Sequence, residues 1–337
     1  MRMTSLAVAV VRSLRGLGTP RPGETIVAAL SGGADSVALL DALLETGRRW
    51  GFRVVAAHLD HGLRSASASD AEFCRNLCAR LGVPLHVGAA DVRGRARRDG
   101  AGLEAAARLE RHAFLRRIAE AEAAAAIAVA HTRDDQAETF LLRLLRGAGS
   151  AGLGAMRPRA GTLIRPLLDV GRRDVLEHLQ ARGLEWREDE TNADLRFARN
   201  RVRHELLPYL ERHFNPSIRE SLARTAALLS DEHEGVAQRA RELYGRAARR
   251  GSGGVVLDGT ALSQAPRPLA RQVVRTALLE AGGLERVGAA HVEKILEVSG
   301  RSGRSGRRLP LPGGREAVFR FGQVRIGARP DRAEART

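Results

Sequence analysis

The chain has 337 residues, more than one domain usually needs, and its 55 Lys and Arg against 39 Asp and Glu give a formal net charge of +16. This excess of cations favours a polyanionic partner such as nucleic acid. The two cysteines, Cys74 and Cys78, are too few for a disulfide framework or a cysteine-ligated metal site, and no apolar run approaches the roughly 18 residues of a membrane span. We therefore exclude disulfide-rich secreted and membrane classes and predict a cytoplasmic protein of two domains.

Strands and helices alternate in the first half of the chain. The N-terminal segment predicts an amphipathic helix, because its apolar run AVAVV is shorter than a signal sequence and Arg12 interrupts it. Periodicity predicts strands at 24–30, 52–60, 83–92 and 125–131 and helices at 37–51, 71–82, 103–123 and 132–147, with a loop at 93–102. Such alternation predicts right-handed crossovers and a parallel sheet.

The second half predicts a change of architecture. Residues 163–189 predict a strand, a helix and a Trp-containing segment, and the RHFNPS stretch at 212–217 predicts a hinge. Beyond it we expect helices at 217–249, 266–282 and 289–299, a short strand in GSGGVVLDG, and a terminal hairpin built on the PGG turn. The prediction is a doubly wound parallel α/β domain over 1–215, followed over 216–337 by a smaller, mainly helical domain with a terminal β-hairpin.

The positive charge is clustered. Residues 196–203 hold four Arg and no acid, and residues 301–337 hold ten Arg and three acids. Only Lys294 is a lysine, as a G+C-rich coding bias would produce, but exchanging Lys for Arg adds no charge. The region from 216 to 337 carries 22 Lys and Arg against 13 acids, so we expect it to bind a nucleic-acid backbone with a steep salt dependence.

The SGGADS stretch, residues 31–36, lies between the first predicted strand and the first helix that follows it. Its two glycines let the backbone approach an anion closely, and the helix N-terminus offers unpaired N–H groups. Ser31 and Ser36 add hydroxyl donors. The stretch matches neither G-x-x-x-x-G-K-[ST] nor G-x-G-x-x-G, so it indicates neither γ-phosphate transfer nor a dinucleotide. A plain capped turn is the alternative to a phosphate cradle.

SGGADS resembles the SGGxDS pyrophosphate loop of the ATP-pyrophosphatase (PP-loop) superfamily, whose members split ATP into AMP and pyrophosphate while adenylating a substrate oxygen. Four further segments narrow this resemblance. They are HLDHGLR (58–64), GLEAAARLERHAFL (102–115), AHTRDDQAETFLLRLLRGAGSAGL (130–153), and RPLLDVGR (165–172) with WREDETNADLRFARNRVRHELLP (186–208). In order and spacing they resemble the tRNA(Ile)-lysidine synthetase family, well from about residue 25 to 215 and more weakly beyond.

The resemblance implies a C–N bond-forming ligase that uses ATP as a substrate, with Mg²⁺. In the first step the C2 carbonyl oxygen of the wobble cytidine of tRNA(Ile) with a CAU anticodon is adenylated and pyrophosphate leaves. In the second step the ε-amino group of free L-lysine displaces AMP and lysidine forms. The implied partners are that tRNA and lysine, with a homodimer as one option for the oligomeric state.

The resemblance assigns the nucleotide to the loop. His58 follows the second strand at the carboxyl edge, where open α/β sheets bind ligands, and is expected to contact the nucleotide, with a role in loop structure as the alternative. The expected nucleotide-binding residues are Ser31, Gly32, Gly33, Ala34, Asp35, Ser36 and His58. Asp35 stands at the helix entrance, where a carboxylate would repel a phosphate unless a metal lay between them. We therefore expect Asp35 to bind Mg²⁺ together with Asp135; a helix cap is the alternative for Asp35.

The implied catalytic residues are Asp35, Arg108, Arg111, His131, Asp135 and Glu138. His131, Asp135 and Glu138 belong to HTRDDQAET, and their roles are left open among phosphate contact, metal or lysine-amine binding, and substrate orientation. Arg108 and Arg111 share a helix face and are expected to clamp a phosphate or the cytidine, unless they form a solvated ion-paired face. The family usually has Arg-Tyr where this chain has Arg111 and His112.

Three arginines are expected to contact tRNA. Arg64 ends HLDHGLR and is expected to contact tRNA or a phosphate. Arg199 and Arg203 match the family's RN-x-x-R element, which is expected to line the site or bind the tRNA backbone. Ion pairs at a domain interface are the alternative for Arg199 and Arg203.

Three other functions compete with lysidine formation. A PP-loop tRNA thiolase needs cysteines that carry sulfur or a cluster, and Cys74 and Cys78 do not provide that arrangement. An amidotransferase-type relative needs a glutaminase domain, which the 24 residues before the first strand leave no room for. A non-catalytic RNA-binding protein would leave the carboxylates and arginines at the predicted strand ends unexplained.

Overall fold

The computed structural model describes residues 3–62, 67–100, 102–188, 194–251, 253–299 and 306–329. The chain divides into two compact units, Met1–Ser230 and Asp231–Thr337. The boundary predicted at residue 215 lies in the turn between two helices of the first unit and stays a prediction. None of the helices in the described ranges has the length and apolar character that a bilayer crossing requires.

The first unit is an α/β structure, as predicted. Its strands are β1 (Thr25–Ala29), β2 (Arg53–Asp60), β3 (Leu85–Ala89), β4 (Ala126–Ala128), β5 (Arg159–Ala160) and β6 (Leu163–Ile164). Its helices are α1 (Ser5–Leu17), α2 (Ala34–Trp50), α3 (Ser67–Leu81), α4 (Val92–Asp99), α5 (Leu103–Ala121), α6 (Arg133–Leu145), α7 (Ser150–Leu153), α8 (Arg172–Arg182), α9 (Ala198–Arg201) and α10 (Leu207–His213). A π-helical turn, Val202–Leu206, joins α9 to α10, and α11 (Ile218–Ala247) follows.

The strands form one sheet in the order β3-β2-β1-β4-β6-β5. All neighbours pair in parallel except β5, which runs antiparallel to β6. The order places β1 and β4 side by side at the centre with chain connections leaving in opposite directions, which is a doubly wound sheet. In such a sheet, ligands bind at the carboxyl edge where the order reverses. The loops after β1 and β4, which carry Asp35 and His131, therefore meet at one edge.

Helix α2 anchors this edge because its middle is buried on all sides. Val37, Leu39, Leu40 and Leu43 are fully buried in the largest core cluster. The helix also carries Asp41, which is 3% exposed and accepts hydrogen bonds from His178 at 2.9 Å and from both Nε and Nη2 of Arg182 at 3.0 Å. This buried ion pair ties α2 to α8.

One prediction for the first unit was wrong. The basic segment 93–102, expected as a loop, contains most of helix α4. The Asp91 side chain accepts a hydrogen bond from Gly94 N at 2.8 Å, and Gly100 ends the helix in a left-handed conformation with φ +60°. The cap and the terminal glycine are both visible in the sequence, but the run of arginines hides the apolar period that identifies a helix.

The second unit combines an antiparallel sheet with the C-terminal part of α11 and, among its described residues, three further helices. The strands are β7 (Ala248–Gly251), β8 (Gly254–Asp258), β9 (Arg308–Leu311), β10 (Arg315–Arg320) and β11 (Gln323–Ala328), in the order β7-β8-β11-β10-β9. Helices α12 (Gly259–Gln264), α13 (Arg267–Glu280) and α14 (Ala289–Ser299) cover one sheet face and share a core with it. The predicted terminal hairpin is present and forms part of this larger sheet; β7 and α12 were not predicted because both are short and polar.

Candidate active site

The SGGADS loop is held open by its own side chains. The Ser36 hydroxyl accepts a hydrogen bond from Ser31 N at 3.1 Å and donates one to Gly33 O at 2.8 Å. Gly32 has φ +87°, a backbone conformation that favours glycine. The first N–H groups of α2 have no acceptor within the helix and face the loop. The loop is thus built as an anion cradle before any ligand arrives.

His58 lies beneath this loop. It is 5% exposed, and its Nδ1 is 2.9 Å from Leu30 O, the carbonyl that precedes the cradle. Its Nε2 has no hydrogen-bond partner among the described residues. The contact with Leu30 makes His58 a support for the loop, and its direct contact with nucleotide stays a prediction.

Asp35 opens α2 beside the cradle. One oxygen accepts a hydrogen bond from Arg172 Nη1 at 2.9 Å, while Oδ1 is buried and has no partner in the described ranges. Burial raises the pKa of Asp35 to about 6; Arg172 opposes this effect, whereas the neighbouring Asp135 and Asp134 add to it. A buried carboxylate with a free oxygen, near two other acids, is a position that a cation would stabilise.

The residues around Asp35 fit Mg²⁺ as a ligand set completed by substrate and water. The described residues contain no group of three or more His, Cys, Asp or Glu arranged to hold a metal ion. Mg²⁺ usually takes one or two protein carboxylates and fills its other positions with water and phosphate oxygens. One free oxygen on Asp35 beside a phosphate cradle agrees with that preference.

Helix α6 begins with a capping box that positions its acidic residues. The Thr132 side chain accepts a hydrogen bond from Asp135 N at 3.4 Å, and Asp135 Oδ2 accepts one from Thr132 N at 2.9 Å. Asp134 instead accepts hydrogen bonds from Arg172 N at 2.8 Å and from Arg219 Nη1 at 2.9 Å. Asp134 therefore ties α6 to α8 and α11, while Asp135 stays close to Asp35.

Asp135 and Glu138 share two arginines. Arg199 bonds Asp135 at 2.8 Å and Glu138 at 2.7 Å, and Arg203 bonds Glu138 at 2.5 Å and Asp135 at 3.3 Å. Burial alone would raise the pKa of Asp135, but Arg199, the Thr132 backbone and Arg203 outweigh it and lower that pKa. Arg203 lies in the π-helical turn, a feature that often occurs at functional sites.

Positive charge collects on the other side of His131. Burial lowers the pKa of His131 to about 4, and Arg165, Arg199 and Arg111 add to this effect against the opposing Asp135. The imidazole is therefore neutral at neutral pH. The pKa of Arg111 is lowered by burial and by Arg108 and Arg199, so these cations lie close together.

The predicted residues therefore fall into two groups. Asp35 and Asp135 form an acidic group next to the cradle, Arg108 and Arg111 form a cationic group, and both Asp135 and Arg199 affect the pKa of His131, which links the two. Arg64 lies outside the described residues. Sequence reasoning missed Arg172, which contacts Asp35, although it ends the RPLLDVGR segment.

The two cysteines are structural. Burial raises the pKa of Cys74 to about 12 and that of Cys78 to about 11. Thiols with such pKa values are not nucleophilic at neutral pH, and two cysteines cannot supply the four ligands that an iron–sulfur cluster normally takes. This arrangement does not favour the thiolase alternative.

The sheet order and the cradle define a PP-loop enzyme that uses ATP. A family model described as a PP-loop domain matches residues 6–210, and one described as a TilS substrate binding domain matches residues 257–324. The chain belongs to the tRNA(Ile)-lysidine synthase family and is an ATP-dependent ligase.

Two relatives illustrate the match. The tRNA(Ile)-lysidine synthase of Thermobifida fusca is 39% identical over 331 residues, which cover 95% of this chain and 96% of the relative. That of Geobacter sulfurreducens is 40% identical over 321 residues, covering 93% of this chain and 68% of the relative. Among solved structures, the U34-tRNA thiolase NcsA from Methanococcus maripaludis with its [4Fe-4S] cluster has a TM-score of 0.57 at 17% identity, covering 67% of this chain and 78% of that chain. This likeness confirms the fold alone.

Proposed function

We propose that this chain adenylates the wobble cytidine of tRNA(Ile) bearing a CAU anticodon and then attaches free L-lysine to C2 of that base. The observation that carries the proposal is the convergence of the SGGADS cradle and Asp35 with the HTRDDQAET residues at one edge of the sheet. Family membership supplies the substrate. ATP is split in the reaction: pyrophosphate leaves in the first step and AMP leaves in the second.

The cradle and Asp35 serve the first step. The N–H groups at the start of α2 bind the β- and γ-phosphates, which leave together as pyrophosphate. The hydroxyls of Ser31 and Ser36, which donate to Ser36 Oγ and to Gly33 O, keep the loop in shape for them. Asp35, through its free Oδ1, would hold Mg²⁺. That ion supplies charge neutralisation on the phosphate oxygens. Arg172 keeps the Asp35 carboxylate oriented through its 2.9 Å hydrogen bond.

The cationic residues near His131 act on the substrate oxygen. Arg111 and Arg108 are placed to stabilise negative charge on the cytidine oxygen or the α-phosphate as it develops. His131 is neutral, so it can donate one hydrogen bond and accept another without adding charge. Its Nδ1 is buried and has no partner in the described part of the chain, so substrate is its natural partner.

Asp135 and Glu138 have different roles. Glu138 is 0% exposed and both of its oxygens contact arginines, so we assign it to positioning Arg199 and Arg203. The Asp135 side chain is 14% exposed and lies beside Asp35. We propose that Asp135 faces the second cation of the reaction, either Mg²⁺ or the lysine ammonium, whose deprotonation must precede attack.

The second unit offers a surface for the tRNA backbone. On the sheet face opposite the helices, Val256, Arg325, Val318 and Arg308 lie side by side in register across four strands. With Arg320 and Gln323 they line a shallow groove of about 320 Å³. Arg308 and Arg325 lie 3.7 and 3.4 Å from the buried carboxylate of Glu316, and their guanidinium groups alternate with valines along the row. Such a row suits phosphates that succeed one another along an RNA strand. We assign backbone contact, not base recognition, to this face.

The first half-reaction provides the test. The chain, Mg²⁺, ATP labelled at the α-phosphate and an unmodified tRNA(Ile) transcript are mixed without lysine, and label retained on the tRNA is measured. We expect retention that is lost when the wobble cytidine is replaced by uridine and chased by added lysine. Retention that lysine does not chase, but a sulfur donor does, would favour the thiolase alternative.

A homodimer stays a prediction that sedimentation equilibrium can check.

A further inference from the structure

Arg165 is a buried arginine without a carboxylate partner. It follows β6 directly and is 7% exposed. Its Nη1 donates a hydrogen bond to Arg157 O at 2.6 Å, while its Nε is buried and has no partner among the described residues. Within those residues no ion pair joins it to any acid. Four other arginines at this edge, Arg172, Arg199, Arg203 and Arg219, each form an ion pair with an acid.

An uncompensated buried guanidinium is unfavourable for folding. Desolvation disfavours a charge that no acid balances, and one neutral carbonyl acceptor does not restore what water provides. The charge that acts on it, Arg108, has the same sign: burial and Arg108 together lower the pKa of Arg165. A protein that needed only packing at this position would be more stable with an apolar side chain. The counter-charge for Arg165 is therefore expected to come from a ligand that the protein binds.

The position of Arg165 indicates where that ligand lies. Strands β4 and β6 are parallel neighbours, and Val129 N donates to Ile164 O at 3.0 Å, so both strands end at the same edge. The residues after them, His131 and Arg165, are close enough for the charge of Arg165 to lower the pKa of His131. It also lowers the pKa of His112 on α5, the helix of Arg108 and Arg111.

We propose that Arg165 binds a phosphate group of the substrates, with Arg108 completing the contact. The proposal rests on the proposed function for the identity of the substrates. A phosphate would supply the missing counter-charge, and a guanidinium offers it two parallel hydrogen bonds. The phosphate has two sources at this edge: the triphosphate of ATP, or the tRNA backbone beside the wobble nucleotide.

Binding measurements test this proposal without requiring turnover. Arg165→Met and Arg165→Lys are compared with Arg159→Met. This is a matched control because exposed Arg159, among the described residues, also donates only to main-chain oxygens, those of Gly161 and Leu17. Affinity for a non-hydrolysable ATP analogue with Mg²⁺, and for the tRNA(Ile) transcript at several salt concentrations, is determined for each. We expect Arg165→Met to weaken one of the two by about tenfold or more, and Arg165→Lys less.

The two sources give different results. If the phosphate belongs to tRNA, the slope of log affinity against log salt falls by about one in Arg165→Met and ATP-analogue binding is unchanged. If it belongs to ATP, analogue binding weakens and the tRNA slope is unchanged. Both affinities equal to those of Arg159→Met would overturn the proposal. Because these are binding assays, a wild-type chain that binds both ligands but makes no lysidine refutes the proposed function and leaves this test intact.

Thermal unfolding separates binding from a structural role. Removing an unpaired buried charge is expected to leave the melting temperature of Arg165→Met equal to that of the wild type or above it. A melting temperature well below that of the wild type, with normal ligand affinity in the folded protein, would assign Arg165 to structure and contradict the proposal.

Discussion

Glu138 and Arg203 form a two-point ion pair in the interior of the site, with Arg203 Nε donating to Oε1 at 2.5 Å and Nη2 donating to Oε2 at 3.2 Å. Arg199 Nε completes the contact at 2.7 Å. The Glu138 carboxylate is fully enclosed, so water cannot replace its hydrogen bonds to the two arginines. The positions of both guanidinium groups next to Asp135 therefore depend on this one residue.

We expect Glu138→Gln to lose both stability and activity. Breaking a buried pair by removing one partner costs about 3 kcal/mol, because a charge is left uncompensated. With Arg199 and Arg203 displaced, ligation should fall about a hundredfold, on the scale of losing one oriented charge. Urea unfolding and initial rates measure the two effects. Glu211→Gln is the matched control: it removes a half-buried partner of Arg219 and should change stability by less than about 1 kcal/mol.

Asp35→Asn should separate stability from function. The pKa of Asp35 is raised in the folded state, so its ionised form is disfavoured by folding at neutral pH, and neutral asparagine removes that cost. A shift from 3.8 to about 6 corresponds to a gain of up to about 3 kcal/mol. Adenylation should nevertheless fall at least a hundredfold, since the carboxylate that would hold Mg²⁺ is gone. Differential scanning calorimetry and the adenylate-trapping assay provide the two readouts.

A variant that is less stable than the wild type and retains adenylation would contradict both parts of this prediction. Chelation offers an independent check. EDTA should abolish adenylation by the wild type, and added Mg²⁺ should restore it.

Asp41 is expected to control acid stability. Burial alone would raise its pKa, but hydrogen bonds from His178 and Arg182 outweigh it and lower that pKa below its ordinary value of 3.8. The unfolded chain therefore binds this proton more readily, so the contribution of Asp41 is present above about pH 4 and is lost as the pH falls further. Asp41→Asn should cost about 3 kcal/mol at pH 7 and less at pH 3, as measured by urea unfolding at each pH. An equal cost at both values would show that the ion pair contributes nothing.

The basic sheet face should determine part of the salt dependence of tRNA binding. Replacing Arg320 and Arg325 with Gln is expected to lower the slope of log affinity against log salt by about two, one for each phosphate contact. Replacing Arg267 and Arg271 on α13, which are paired with Glu293 on α14, removes the same charge elsewhere in the unit. That control should change the slope by less than one; equal effects of the two pairs would assign the dependence to net charge alone.

Local patterns predicted much of this molecule. The cradle, the parallel sheet and the long helices follow from short stretches in which residue type and spacing carry the signal, and Thr132 with Asp135 is a cap visible in four residues. Short polar elements such as β7 gave no such signal. The fold class of each half was correct because periodicity and alternation are local properties.

The chemistry of the site was less accessible from sequence. The role of Glu138 was left open in the sequence, because its arginine partners lie 61 and 65 residues away and only the fold brings them together. The burial of Arg165 and the contact between Arg172 and Asp35 also arise only from the fold. The sequence does not show whether a charged residue has a counter-charge beside it in the fold. A charged residue that has one positions its partner, whereas one that has none is available to bind a ligand.

Lysine incorporation tests the central claim most directly. The chain is incubated with Mg²⁺, ATP, labelled L-lysine and either the tRNA(Ile) transcript or the same transcript with uridine at the wobble position, and the digested nucleosides are separated. We predict label in a modified cytidine from the first transcript, one AMP released for each lysine attached, and none from the second. Label that does not depend on the wobble cytidine, or AMP release without attached lysine, would contradict this account.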